Sequence, residues 1–344
     1  MNPATLTARA VAELLGGRLV GDGGAVLSGI APLDRAGPGD LSFLASGRYL
    51  DAFRASRAGC VLVAEDLAEV SGGPSTRILV GDPARAMGQV QATLYPEPEP
   101  VPGVDSTARL AHGVVLGQGV CVGPHAVLGT AVRLGDRVVI GVGVVLEEGV
   151  TIGEESVLGP GVVCCRGTRI GKRARIKAGA VLGGIGFGYA PGPDGLERLP
   201  HAGRCLIGDD VDIGSNTCID RGSVDDTVIG DGTRIDNLVQ IAHNVKLGRH
   251  CLVMSQVGIA GSARIGDGVV LAGQVGVVGH LTIGDGARIA AQSGVGHDLP
   301  GGADYGGSPA RPHREWLRSH AVLYRLAPIA KEMEALVRER KTHA

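Results

Sequence analysis

From Val104 onward an aliphatic residue recurs at every sixth position. The series runs through Leu110, Leu116 and Val122 to Leu182, resumes at Ile207, Ile213 and Ile219, and continues unbroken from Ile229 to Val295. Of its 29 positions, 28 hold Val, Leu or Ile, with Cys164 the exception. These three residue types fill 92 of 344 positions, so chance would put about eight of them in the series. A period of six matches neither the turn of a helix nor the alternation of a half-buried strand. It predicts a β-solenoid in which each hexad supplies one short strand to one face of a coil. The aliphatic points inward and stacks on its equivalents in neighbouring coils. The small residue at the fifth position also faces inward. The Gly that usually follows the aliphatic is expected to open the corner, often at φ > 0. Each buried aliphatic contributes about 1.5–3 kcal/mol, so several coils together outweigh an ordering entropy that one cannot.

The series breaks twice. Residues 183–206 form a long excursion that contains Phe187 and Tyr189, and residues 220–228 add four residues to one hexad. Loops of this length leaving a rigid scaffold point to function or subunit contact. Before the repeat, residues 1–95 read as an α+β domain. Thr7 caps a helix over Ala8–Leu15 that stops at Gly16. Short β runs follow at Arg18–Val20, Val26–Ile30, Leu41–Leu44, Cys60–Ala64 and Ile78–Val80, with helices over Arg48–Ser56 and Pro83–Leu94. Residues 96–103 hold four prolines in the stretch Tyr95–Gly103 and read as a stiff linker. The solenoid spans 104–303. Residues 304–344 form a C-terminal segment, helical from 313 and interrupted at Pro328.

Composition narrows the class. Aromatic residues make up only 3% of the chain and Gly contributes 58 residues, so Val, Leu and Ile must fill the core. A net charge of -2 gives no global footprint for nucleic acid. Locally, 311–344 hold eight Lys or Arg against four Asp or Glu, which suits a helix bundle between subunits or a landing site for an acidic partner. The seven Cys are odd in number and lack a C-x-x-C, so they read as small buried hydrophobes in a reducing cytosol. Neither a signal peptide nor an 18-residue apolar run is present, and a cytoplasmic protein is expected.

Among ten histidines, His243 stands out. It occupies the third position of its hexad, at a corner, pointing outward, with Asn244 beside it and Asp236 one hexad earlier. With three hexads to a coil, Gly261 lies directly above it, and its bare backbone N–H suits an oxyanion donor. His280 is 37 residues on, two coils and one residue, and so on the same edge. A general base beside a glycine amide is what acyl transfer to an amine or hydroxyl requires. Taken alone, a corner histidine is an ordinary surface residue. No histidine triad matches a zinc site, so no metal is expected.

Several motifs together carry a family resemblance. They are Ala31-Pro-Leu-Asp-Arg-Ala-Gly-Pro-Gly-Asp-Leu-Ser-Phe-Leu44, Gly186-Phe-Gly-Tyr189, Ile219-Asp-Arg-Gly222 with Asp225–Gly230, and Ile235-Asp-Asn237 with Gln240-Ile-Ala-His-Asn-Val245. The chain resembles, over nearly its whole length, the UDP-3-O-acylglucosamine N-acyltransferases of lipid A biosynthesis. The resemblance implies a mainly β fold, in which a left-handed parallel β-helix joins an N-terminal uridine-binding domain and C-terminal helices in a homotrimer. It implies transfer of a 3-hydroxyacyl chain from the phosphopantetheine of acyl carrier protein to the 2-amino group of a UDP-sugar, with no bound cofactor. His243 would be the general base and Asp236 would orient or charge-stabilise it. Asn244 and His280 would line the site, and Gly261 N–H would hold the oxyanion. Phe43 and Tyr49 match the aromatic pair that holds uracil, and Ser46 stands where many members have Asn. The acidic carrier protein suits the basic C-terminal segment. Two alternatives are an acetyl-CoA-dependent amino-sugar N-acetyltransferase and a non-catalytic solenoid.

Overall fold

A computed structural model of the chain describes residues 5–96, 98–307 and 313–342. Two compact units, Met1–Glu99 and Pro100–Ala344, divide it within the proline-rich stretch. In the first unit Thr7 accepts a hydrogen bond from the Ala10 N–H at 3.2 Å and opens the helix Ala8–Leu15. Gly16 closes it at φ 62°, in the left-handed region that glycine enters freely. A five-stranded sheet runs in the order Arg18–Val20, Arg77–Val80, Cys60–Ala64, Asp40–Leu44 and Gly29–Ile30. All five residues of Cys60–Ala64 are buried, as a central strand covered on both faces requires. One apolar cluster holds Leu41, Leu62, Ile78 and Val90, and another holds Leu44, Phe53, Val61 and Val63. The expected run Val26–Ile30 divides into Val26–Leu27 and Gly29–Ile30. The expected helix Arg48–Ser56 is a 3₁₀ turn, Gly47–Tyr49, followed by an α-helix, Leu50–Ala55.

The second unit is a parallel β-helix with three sheets of nine, eleven and ten strands. Strands in each uninterrupted coil pair 18 residues apart, so Ile241, Ile259, Val277 and Val295 stack in register. These aliphatics and the fifth-position residues, such as Val239, Val257 and Val275, form one continuous core. The corners correct the sequence reading. The residue with positive φ is the third after the aliphatic, and many of these are not glycine: Arg137, Glu155, Asn244 and Gln256 all lie there at φ 55–62°. Most glycines that follow the aliphatic directly have a different reason. A Cβ at Gly153 would come within 2.5 Å of the Gly171 backbone in the next coil, so close coil stacking, not backbone handedness, demands them.

Both excursions are ordered. The first carries an antiparallel hairpin, Tyr189–Gly192 against Gly195–Arg198. Arg204 at its end meets Asp226 of the second at 2.9 Å, and this ion pair lowers the Asp226 carboxyl from its ordinary value. The helix His313–Thr342 runs through Pro328 rather than breaking there. A proline removes one ladder hydrogen bond and crowds one carbonyl, and here the helical bonds on either side carry the segment across. Residues 308–312 and 343–344 of the expected C-terminal segment lie outside the described residues. Among the described residues no helix is long and apolar enough to cross a membrane.

Candidate active site

His243 follows the strand Gln240–Ile241 at a corner of the ten-stranded sheet. Register places Gly261 one coil on from it, beyond Ile259, while Asn244, Ser262 and His280 occupy the equivalent next position in three successive coils. All three of these residues have positive φ, 61°, 64° and 63°. The corner is sewn together by Ser262 N–H donating to the His243 carbonyl at 2.9 Å and His280 N–H donating to the Gly261 carbonyl at 3.1 Å. Gly261 lies against the imidazole, since a Cβ there would come within 2.7 Å of His243 Cε1 and 2.8 Å of Nε2. Among the described residues no acceptor meets the Gly261 N–H.

The second excursion sets the state of the histidine ring. Asn244 Oδ1 accepts from Ser223 N–H at 3.1 Å and Ser223 Oγ at 2.7 Å, while its Nδ2 donates to the Asp225 carbonyl at 2.8 Å. A backbone N–H can only donate and a carbonyl can only accept, so these bonds fix which end of the amide is oxygen. That oxygen is 2.9 Å from His243 Nδ1. Nδ1 therefore carries the hydrogen in the neutral ring, and Nε2 presents a lone pair.

The first excursion closes the other side. A Cβ on Gly186 would come within 3.1 Å of His243 Cβ and 3.0 Å of His201 Nε2. His201 and His243 meet edge to face with centroids 5.3 Å apart, and the His201 Nδ1 donates to the Leu199 carbonyl at 3.1 Å. Burial raises the Asp220 carboxyl above its ordinary value, against a 3.1 Å hydrogen bond from Gln240 and the fields of His243 and His201. Asp236 is not part of this cluster. Its carboxylate accepts from Asn237 N–H at 2.7 Å, after the strand Arg234–Ile235 in a different sheet. One hexad is one side of the triangular coil, so a residue seven positions away belongs to another corner. The residue that orients His243 within this chain is Asn244. Gly186, Asp220 and Asp225 were read from sequence only as parts of family motifs, without a role, and Ser223 and His201 were not singled out, although their two excursions were.

Beside the histidine runs an open apolar groove of about 570 Å³, lined by Gln240, Ala242, Gly258, Ala260, Gly276 and Val278 among others. Gly258, Gly276 and Gly294 follow Gln240 in register up the sheet. A Cβ at any of the three would meet nothing within 4 Å, and none has positive φ. Neither coil stacking nor backbone conformation calls for glycine there. In the first unit Phe43 and Tyr49 line a cavity of about 490 Å³ with Pro32, Leu33, Asp34 and Ser42. Ser46 is not among its lining residues, and its Oγ instead accepts from the Arg48 N–H at 3.4 Å. All seven cysteines are free, and burial pushes the Cys60 and Cys205 thiols up to about 12.

A family model described as UDP-3-O-(3-hydroxymyristoyl) glucosamine N-acyltransferase matches residues 25–92, and a bacterial transferase hexapeptide model matches 131–166 and 226–261. The UDP-3-O-acylglucosamine N-acyltransferase of Granulibacter bethesdensis is 52% identical over 323 residues, covering 92% of this chain and 93% of its own. That of Syntrophus aciditrophicus is 53% identical over 317 residues, covering 92% and 87%. A solved UDP-N-acetylglucosamine acyltransferase superposes at a TM-score of 0.48 and 25% identity, over 65% of this chain and 81% of that one.

Proposed function

The chain belongs to the UDP-3-O-acylglucosamine N-acyltransferase family, and from that premise we propose that it moves a 3-hydroxyacyl chain from acyl carrier protein to the 2-amino group of UDP-3-O-acylglucosamine. The observation that carries this reading is the His243 corner: an imidazole whose Nδ1 is bonded to Asn244 Oδ1 and whose Nε2 lies against a glycine with no acceptor for its N–H among the described residues. In the reaction the amine nitrogen attacks the thioester carbon while His243 Nε2 takes its proton. Gly261 N–H donates to the oxygen that gains charge. Collapse forms the amide, breaks the C–S bond and returns the proton to the departing thiolate. His280, two coils from Asn244, lines the same edge.

The groove beside His243 suits the acyl chain, because its floor is bare backbone where the fold has no use for glycine. Two coil spacings from Gln240 to Gly276 give it about 10 Å. The Phe43–Tyr49 cavity suits uracil, stacked against two rings that are 40% and 46% exposed. On the C-terminal helix Val322, Leu326, Ile329 and Met333 are exposed at four- and three-residue spacing, the stripe of a helix that packs against copies of itself. That supports an assembly of copies through this helix, which we take to be a homotrimer. Docking of the acidic carrier protein falls to the basic residues of the same segment.

Mass spectrometry of product from UDP-3-O-acylglucosamine and a mixture of acyl carrier protein thioesters tests the reading. The expected product is a UDP-2,3-diacylglucosamine whose new amide bears a long 3-hydroxyacyl chain. Amide formation only from acetyl-CoA would replace it with an amino-sugar N-acetyltransferase.

A further inference from the structure

Asp220 ends the strand Cys218–Asp220, half-buried, one coil before the Gln240 and Ala242 that line the groove beside His243. Cys218 pairs with Gln240 and Ile219 with Ile241, so register sets Asp220 opposite Ala242, the residue before the histidine. A coil step of about 4.8 Å and a residue step of about 3.5 Å put its backbone about 6 Å from that of His243. Its Oδ2 accepts from Gln240 Nε2 at 3.1 Å, and among the described residues no lysine or arginine pairs with it. Such a carboxylate is unfavourable for the fold, because a charge with one neutral hydrogen bond has left water without meeting a countercharge. Asparagine would accept from Gln240 equally well without that cost.

The titratable groups packed around this carboxylate leave His243 as its partner. His201 donates from Nδ1 to the Leu199 carbonyl at 3.1 Å, and its Nε2 is buried with no partner, so a second proton there would lack an acceptor and the ring stays neutral. The Cys205 and Cys218 thiols feel the Asp220 charge, and burial raises both, so they stay protonated. Arg221, one coil before His243, is turned to the Gly203 carbonyl, to which its Nε donates at 2.8 Å. Asp225 is paired with Lys246 at 2.8 Å, and His280 lies two coils on from Asn244. The field of His243 lowers the Asp220 carboxyl against the effect of its burial, so the two groups are coupled. We infer that Asp220 acts through His243 as a positioning residue, a fixed negative charge that favours the imidazolium formed when the base takes the amine proton. This rests on the reading of His243 as general base. The proton passes from the amine to His243 Nε2 and on to the thiolate, and Asp220 stays a carboxylate throughout. A charge held in place beforehand interacts strongly with the protonated ring and weakly with the neutral one, so it lowers the barrier rather than merely tightening binding.

Magnetic resonance titration of the full-length protein with labelled histidines, without substrate, reads the coupling directly. The His243 signal is assigned by its loss in His243→Ala. Asp220→Asn is expected to lower the His243 pKa by about 0.5–1 pH unit, since removing an opposite charge disfavours the charged ring. With a fixed acyl carrier protein thioester, kcat is expected to fall about 3- to 10-fold at its plateau, and the acid limb of its pH profile to move down with the histidine. The thermal midpoint at neutral pH is expected to stay level or rise, so the lost rate is not lost fold. A residue that served only the fold would lower kcat and the midpoint together and leave the His243 titration in place, which would overturn the inference. In the His243→Ala background, Asp220→Asn is expected to change the residual rate by less than about 2-fold. An equal loss in both backgrounds would also overturn it. An unmoved His243 titration in an enzyme that forms the amide removes the role of Asp220 and leaves the general base standing. A moved titration in a protein that forms no amide from any thioester removes the proposed reaction, and the catalytic role of the charge with it.

Discussion

Replacing Asn244 by Gly isolates the residue that sets the state of His243. Asn244 sits at φ 61°, where a β-carbon is strained and glycine is not, so the substitution removes the amide without distorting the corner. Two losses reach the histidine. The Nδ1–H gives up its 2.9 Å partner, a hydrogen bond of about 0.5–1.5 kcal/mol net. The freed imidazole also distributes its hydrogen over both nitrogens, so part of the population presents N–H where a lone pair is needed. Together these predict a 10- to 100-fold fall in kcat, about 1.4–2.7 kcal/mol. His243→Ala, which deletes the base, is expected to cost about 10²- to 10⁴-fold. The double variant is the sharp measurement. If Asn244 acts through His243, the double variant is no slower than His243→Ala alone, because there is no ring left to orient. Steady-state rates with a fixed acyl carrier protein thioester give all four corners of the cycle. Additive losses would refute the coupling. Asn244 also bonds Ser223 and the Asp225 carbonyl, so a stability loss of about 1–3 kcal/mol accompanies the change and is read separately by denaturant unfolding.

Gly261→Ala forces a Cβ to within 2.7 Å of His243 Cε1, so the ring must move, and kcat is expected to fall on the order of 100-fold with folding retained. A rate within 3-fold of the parent would show that ring position there is unimportant. Gly276→Leu puts a side chain into the groove, and it is expected to slow long-chain donors at least about 10-fold more than short-chain ones in kcat/KM. Equal slowing of both would separate the groove from the acyl chain. Asp220→Asn tests the buried carboxyl. Its pKa is raised in the folded protein, so the native state binds the extra proton, and this contribution to stability is present at low pH and fades as pH rises through the folded pKa. The variant is expected to be more stable than the parent at neutral pH, with the gap closing in acid. A gap that widens toward low pH would contradict the burial argument.

What could be read from sequence divides along the repeat. The solenoid was legible because each hexad imposes the same local demand, and a single missing aliphatic, Cys164, leaves the series intact. Counting by coils also brought His243, Gly261 and His280 to one edge, which the register reproduces. Proximity in sequence does not bring Asp236 to His243 within one chain, since a triangular coil carries a residue one hexad away to a different corner. The role of Asn244 was legible only in part. Its oxygen is aimed by Ser223 and Asp225, which lie in the stretch where the period fails and register cannot be counted.

Glycine separates scaffold from site in this fold. In the position after the aliphatic, a side chain would strike the backbone of the next coil, at 2.5 Å for Gly153 and Gly230, and the residue is a condition of stacking. Gly258, Gly276 and Gly294 face outward with open space around them. An outward strand position in a solenoid tolerates almost any residue, as Gln240 in the same column demonstrates. Glycine in a strand interior also weakens it through backbone entropy. Three successive coils therefore carry a small stability cost at the one column that leads away from His243. The compensation has to come from something that approaches the backbone more closely than a side chain allows, and an extended alkyl chain lying along the column has that shape. In the proposed reaction the corner histidine would serve any acyl donor, and the bare column beside it would favour a long one.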